Sequence, residues 1–227
     1  SYPTMFGTAR IYTIRQDEQT GASDEHETRT GGVSEPAWIR VLEIDGAYQA
    51  ATYIDDERVY DLVFDYYKMY DHLFEALGAN SGQPEQTARS APRDHIAPHG
   101  QTSLPLSADQ PEQTARRRQI NLLMMGGGGY AYPKHVIAHH PEARIDVVEI
   151  DPDITLLAER YFFLDRLIEE FETERTGRLG LVCDDALSYL ESCNVVYDAI
   201  LNDTFAGKHP VESLLTSEAL HLAKSRL

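Results

Sequence analysis

The sequence predicts an α/β fold: a parallel sheet with helices on both faces, preceded by a small N-terminal β-hairpin domain. Three observations lead there. From Ile120 onward, short apolar runs alternate with helical patterns. Those runs are continuously apolar, which means burial on both faces and helical crossovers between parallel strands. Near the N-terminus, Asp45-Gly46 joins two strand-like runs, 37–44 and 47–54. Asp-Gly there signals a type I′ hairpin, whose two central residues both take positive φ.

Composition bounds the function classes. The chain has 227 residues, a mass of 25.6 kDa and a formal net charge of −17. Such a charge repels phosphate backbones, so nucleic acid is not an expected partner. Apolar residues make up 42 %, enough for a packed core. No apolar run approaches the ~20 residues that span a bilayer, and residues 1–7 lack the blocks of a secretory signal, so no membrane association is expected. Cys183 and Cys193 are the two cysteines, without paired spacing, so neither a disulfide scaffold nor a four-ligand zinc site is expected. The expectation is a soluble cytoplasmic protein.

The elements follow in order. Residues 9–14 read as a short strand and 15–34 as a polar loop. After the hairpin, Leu62, Val63, Tyr66, Tyr67, Tyr70, Leu73 and Phe74 recur at spacings of three and four, predicting one amphipathic helix over 59–77. Asp55, Asp56 and Glu57 would suit its N-terminal dipole. Residues 80–118 are rich in Gly, Pro, Ser, Gln and Thr. They carry the heptapeptide Gln-Pro-Glu-Gln-Thr-Ala-Arg twice, at 83–89 and 110–116. Two copies do not make a solenoid, and a flexible linker is expected. Strands are then expected at 120–125, 145–150, 179–182 and 199–201. Helices are expected at 133–139, 152–163, 186–191 and 213–224. The domains are thus 1–79, 80–118 and a Rossmann-like 119–227, with strand order 3-2-1-4. Such a sheet normally has three more strands, which are expected to be missing here.

The candidate chemistry sits at the strand ends, where open α/β sheets bind ligands. Gly126-Gly127-Gly128-Gly129 ends the first strand. A glycine run there serves either close approach of backbone N–H groups to a ligand or tight strand–helix packing. Glu149, twenty positions beyond Gly129, ends the second strand, where such folds grip ribose hydroxyls. Asp184-Asp185 ends the third and Asp203 the fourth.

These pieces, in this order, resemble the spermidine synthases (polyamine aminopropyltransferases), within the fold class of S-adenosylmethionine-dependent methyltransferases. The matching stretches are Leu123-Met124-Met125-Gly126-Gly127-Gly128, Val147-Val148-Glu149-Ile150-Asp151, Cys183-Asp184-Asp185-Ala186 and Tyr197-Asp198-Ala199-Ile200-Leu201-Asn202-Asp203. Leu214-Leu215-Thr216-Ser217-Glu218-Ala219-Leu220 follows. In the N-terminal half, Ile44-Asp45-Gly46-Ala47-Tyr48-Gln49 and Asp56-Glu57-Arg58-Val59-Tyr60 are similar to the family's hairpin and helix start.

The resemblance implies roles. Gly126, Gly127 and Gly128 would line the methionine moiety of S-adenosylmethionine or its decarboxylated form. Glu149 would bind the ribose and Asp185 the adenine amino group. Asp203 would be the catalytic base, and Gln49 and Tyr60 would face a small-molecule amine. A homodimer is implied, and no metal. The implied activity is aminopropyl transfer. The alternatives are another S-adenosylmethionine-dependent transferase, a methyltransferase above all, and a non-catalytic nucleoside-binding descendant.

Some positions depart from the family's pattern. Where the family has Asp-Gly-Gly after three glycines, this chain has Gly129, Tyr130 and Ala131. Ala206 and Leu62 stand where it has carboxylates. Each lost charge-assisted pair weakens cation binding by about 1.5–3 kcal/mol, so putrescine is not the expected acceptor. His139-His140 reads as a solvated pair, because no third metal ligand can be placed beside it. The tyrosines Tyr66, Tyr67 and Tyr70 read as core or dimer interface, with ligand stacking as the alternative.

Overall fold

The computed structural model describes residues 1–16, 37–78, 118–206 and 209–227. The predicted linker at 80–118, apart from Arg118, lies outside the described residues, as do residues 17–34 of the polar loop.

The N-terminal unit is a four-stranded antiparallel sheet rather than a lone hairpin. It contains β1 (Tyr2–Thr4), β2 (Gly7–Arg15), β3 (Trp38–Ile44) and β4 (Ala47–Tyr53), in that order. The predicted turn joins β3 to β4, with Asp45 at φ 46° and Gly46 at φ 81°. The hairpin is therefore local in origin, whereas β2 is held by pairing with β3 from Ala9 to Arg15, and β1 by pairing with the start of β2.

The segment after β4 corrects the expectation of one helix. It forms two short helices, α1 (Asp65–Lys68) and α2 (His72–Ala76). Between them the backbone bonds run from each N–H to the carbonyl three residues back, from Met69 to Tyr66 through Phe74 to Asp71. That tighter coil has three residues per turn, so side chains three apart stack in line. Tyr67 and Tyr70 therefore both reach Tyr132, at ring-centroid distances of 6.2 and 5.2 Å. Asp55 does not cap a helix; it accepts from the Arg58 guanidinium at 2.8 Å in a turn of its own.

The second half is the parallel sheet. It comprises β5 (Ile120–Met125), β6 (Ala143–Glu149), β7 (Leu179–Cys183) and β8 (Ala199–Asn202). Their order is β7-β6-β5-β8, which is the predicted 3-2-1-4, and β5 is parallel to both β6 and β8. Helices α3 (Ala131–His139), α4 (Pro152–Tyr161), α5 (Leu164–Glu170), α6 (Thr173–Thr176), α7 (Ala186–Ser192) and α8 (Ser217–Lys224) connect and cover it. The expected 152–163 helix stops at Tyr161 because Phe163 takes φ 61°, and α5 and α6, absent from the sequence reading, follow. The expected 213–224 helix is a 3₁₀ turn, Glu212–Leu215, and then α8, whose first turn is capped by Thr216 accepting from Ala219 N–H. A two-stranded ribbon, β9 (Phe205–Ala206) and β10 (His209–Pro210), follows β8.

Successive residues of β5 point to opposite faces, and both faces are buried. Leu122 and Met124 join Leu42, Ala50, Phe74 and Tyr132 in one core, which thereby includes residues of the N-terminal unit. Leu123 and Met125 join Val148, Leu190, Tyr197 and Leu214 on the other face. This is why β5 is a continuous apolar run. Among the described residues, no helix is long and apolar enough to cross a membrane.

Candidate functional site

A cleft of about 900 Å³ opens outside the carboxyl ends of the parallel strands, beneath the β3–β4 hairpin. Gly126, Gly128, Glu149, Asp185, Asp203 and Gln49 all line it. Gly127 and Tyr60 do not.

The floor is built by backbone. At Gly126, φ is 92° and an added Cβ would lie 2.5 Å from the Asp203 carbonyl oxygen, so only glycine lets the ends of β5 and β8 pass so closely. Glu149 is 8 % exposed, and both its carboxylate oxygens are engaged. Oε2 accepts from Gly127 N–H at 2.8 Å and Gly128 N–H at 3.2 Å; Oε1 accepts from Asp151 N–H at 3.0 Å. Gly127 thus acts through Glu149 rather than at the cleft surface. Three of the carboxylate's roughly four acceptor sites are taken, which leaves one for a hydroxyl. Asp185 caps α7, accepting from Ser188 N–H at 3.0 Å, and Asp184 accepts from Asp185 N–H at 2.8 Å.

The opposite wall is aromatic. Tyr66, Tyr67 and Tyr70 line the cleft. The Tyr67 hydroxyl donates to Asp203 Oδ2 at 2.9 Å. Burial pushes the Asp203 carboxyl up from the ordinary Asp range, while hydrogen bonds from Tyr67 and Tyr66 pull it partly back. Burial, then the Asp203 charge, hold the Tyr67 phenol well above its usual range. Burial likewise raises Tyr70, to about 12. All three tyrosines therefore stay neutral donors at physiological pH. The three-residue spacing that gathers them was visible in the sequence, but it fitted a buried helix stripe equally well.

Tyr60, like Gly127, lies off the cleft lining where the sequence reading expected it on the site. Tyr60 is drawn away from the cleft: its hydroxyl donates to Glu170 Oε2 at 2.9 Å and its ring meets Phe171 edge-on at 5.6 Å. Gly129, where the resembling family carries aspartate, has no room for a side chain, since an added Cβ would lie 2.5 Å from Ala50 Cβ. The hairpin packs directly onto the glycine loop there. The histidine pair also separates. His139 Nε2 faces Asp61 Oδ1 at 3.3 Å, while His140 is joined by Asp71 and His135, residues distant in the sequence that the fold brings beside it.

A glycine loop, an acidic residue after each following strand and a cleft at the sheet's carboxyl edge define a Rossmann-like protein with the layout of a nucleoside site. The chain belongs to the spermine/spermidine synthase domain family, which matches residues 104–227. It is 34 % identical over 109 residues to a polyamine aminopropyltransferase of Vibrio vulnificus, covering 47 % of this chain and 33 % of that protein. It is also 33 % identical over 90 residues to an eEF1A lysine and N-terminal methyltransferase homolog of Drosophila pseudoobscura, covering 38 % of this chain and 12 % of that one. The chain thus spans a third or less of the length of these relatives. A crystal structure of a probable spermidine synthase from Corynebacterium glutamicum has the same fold: TM-score 0.58, 16 % identity, covering 100 % of this chain and 59 % of that one.

Proposed function

We propose that the cleft binds decarboxylated S-adenosylmethionine and transfers its aminopropyl group to a small amine, with Asp203 as the base. The observation that carries this is Asp203 itself, a half-buried carboxylate lining the same cleft as the glycine loop, Glu149 and Asp185. The nitrogen lone pair attacks the carbon next to the sulfonium, the carbon–sulfur bond breaks toward sulfur, and the ammonium proton passes to Asp203. The sulfonium is already a good leaving group, so alignment and proton removal supply most of the acceleration. A carboxyl raised by burial is a better proton acceptor than an exposed one, and Tyr67 fixes its orientation. Glu149, Asp184, Asp185 and Asp203 give the cleft a negative lining that disfavours a donor carrying its own carboxylate. Gln49, on the hairpin above, and the tyrosine wall would orient the acceptor.

Methyl transfer from S-adenosylmethionine is the second reading, favoured by the likeness to the methyltransferase homolog. Asp203→Asn separates base from bystander. Asn keeps an acceptor for Tyr67 but takes no proton, so turnover is expected to fall at least about a hundredfold. Methylthioadenosine affinity should stay within about threefold. Stability should rise, because ionising a carboxyl whose folded pKa lies above its unfolded value costs folding energy at neutral pH. Full turnover in Asp203→Asn would remove the base from the scheme.

A further inference from the structure

Behind the tyrosine wall lies a second cluster, outside the cleft. Asp71, at the start of α2, faces two histidines from the α3 region. Its Oδ2 lies 3.1 Å from His135 Nε2 and its Oδ1 lies 3.9 Å from His140 Nε2. One ligand-type atom from each of the three lies within 4.8 Å of the others. On the far side of its ring, His135 Nδ1 sits 3.3 Å from the Tyr60 carbonyl oxygen. A carbonyl only accepts, so Nδ1 carries the hydrogen, and Nε2 faces the carboxylate either bare or with a second proton. A bare nitrogen and a carboxylate oxygen repel at that distance, so a cation belongs between them.

A proton on His135 satisfies only part of the cluster. Asp71 Oδ1 and the Tyr132 hydroxyl are buried side by side without a well-formed hydrogen bond, and Tyr132 is 0 % exposed. The His140 ring stacks on Phe74 at 3.6 Å, which holds its Nε2 on the Asp71 side. Two imidazoles and a carboxylate, one imidazole oriented by a backbone carbonyl, are the donor set of a three-ligand zinc-type site.

We propose that Asp71, His135 and His140 bind a divalent transition-metal ion of the Zn²⁺ type, with water completing the coordination. The ion clips the α1–α2 segment to α3. Tyr67 and Tyr70, which pack on Tyr132, would then be held in place from behind. The inference is independent of the reaction proposed for the cleft.

The test uses the full chain, stripped with a chelator and titrated calorimetrically with Zn²⁺. One equivalent should bind and raise the thermal midpoint, since an ion that binds only the folded state stabilises it. Asp71→Ala and His140→Ala should each lower the affinity at least about tenfold, and His139→Ala should leave it unchanged. Cobalt substituted for zinc should give a spectrum of nitrogen and oxygen ligands. Should either variant fail to fold, the wild-type stoichiometry and cobalt spectrum decide. No uptake by the wild type, thiolate charge-transfer bands marking Cys183 or Cys193, or unchanged affinity in folded Asp71 and His140 variants would overturn the proposal.

Discussion

The floor of the cleft and its aromatic wall are held by different means. On the floor, Glu149 and Asp185 are fixed by backbone amides at 2.8 to 3.2 Å, and β6, which ends at Glu149, is buried almost throughout. On the wall, Asp203 is oriented by a phenol hydroxyl, on a segment that tightens from α-helix to three-residue turns. The floor depends on backbone amides and on the glycines that bring them close, as at Gly126. The wall depends on particular hydroxyls, rings and charges. The difference matches the sequence, in which the glycine loop, Glu149 and Asp185 keep the family's pattern while Gly129, Leu62 and Ala206 depart from it.

The sharpest contrast should come from Glu149→Ala. It leaves the Gly127, Gly128 and Asp151 amides without their acceptor, each costing about 1–3 kcal/mol if no water replaces it. Urea unfolding should report a loss of about 3 kcal/mol or more, and methylthioadenosine binding should fall below detection. Wild-type affinity in this variant would mean that the floor does not depend on its carboxylate. Gly129→Asp restores the family's residue on paper but drives a side chain into Ala50. Overpacking should cost about 1–3 kcal/mol, and a gain in diamine turnover instead would show that the hairpin lifts readily.

Smaller effects probe the wall. Tyr67→Phe removes a hydrogen bond that lowers the Asp203 pKa, so the acid limb of the rate profile should move to higher pH. An unmoved limb would contradict Asp203 as the titrating group. Lys134 lies beneath the hairpin, 1 % exposed, its ammonium held by the Phe162 carbonyl and 3.4 Å from Thr52 Oγ1. Burial pushes its pKa down to about 7. With the folded value below the unfolded one, stability should rise as pH climbs from about 7 toward 10 and fall as pH drops back through 7. Lys134→Met should flatten that slope in thermal melts across pH 7 to about 9.5, below the range where tyrosines titrate. A slope that persists would assign it to other groups.

How much was legible follows from the range of each interaction. The parallel sheet could be read because double-sided burial writes continuous apolar runs, as at Ile120–Met125, and the hairpin because Asp45-Gly46 is a local turn code. The break between α1 and α2 could not, because spacings of three and four fit both an α-helix and the tighter coil, and only contact with Tyr132 selects the latter. Tyr60 was placed by likeness to a motif, yet Glu170 and Phe171, over a hundred residues away, decide where it points. Asp71, His135 and His140 meet only once α2 docks on α3. Glu149 was found at its strand end, but its bonds to the glycine loop have no sequence signal beyond the glycines themselves.

We propose that the floor holds a nucleoside and that the cleft's carboxylates, Glu149, Asp184, Asp185 and Asp203, favour a donor without a carboxylate of its own. Calorimetric titration of the purified chain with methylthioadenosine, S-adenosylmethionine and its decarboxylated form tests it most directly. Methylthioadenosine should bind, and the decarboxylated donor should bind at least about tenfold more tightly than S-adenosylmethionine, corresponding to roughly 1.4 kcal/mol. Equal or tighter binding of S-adenosylmethionine would contradict the aminopropyl reading and support methyl transfer; no binding of any of the three would contradict the nucleoside site itself.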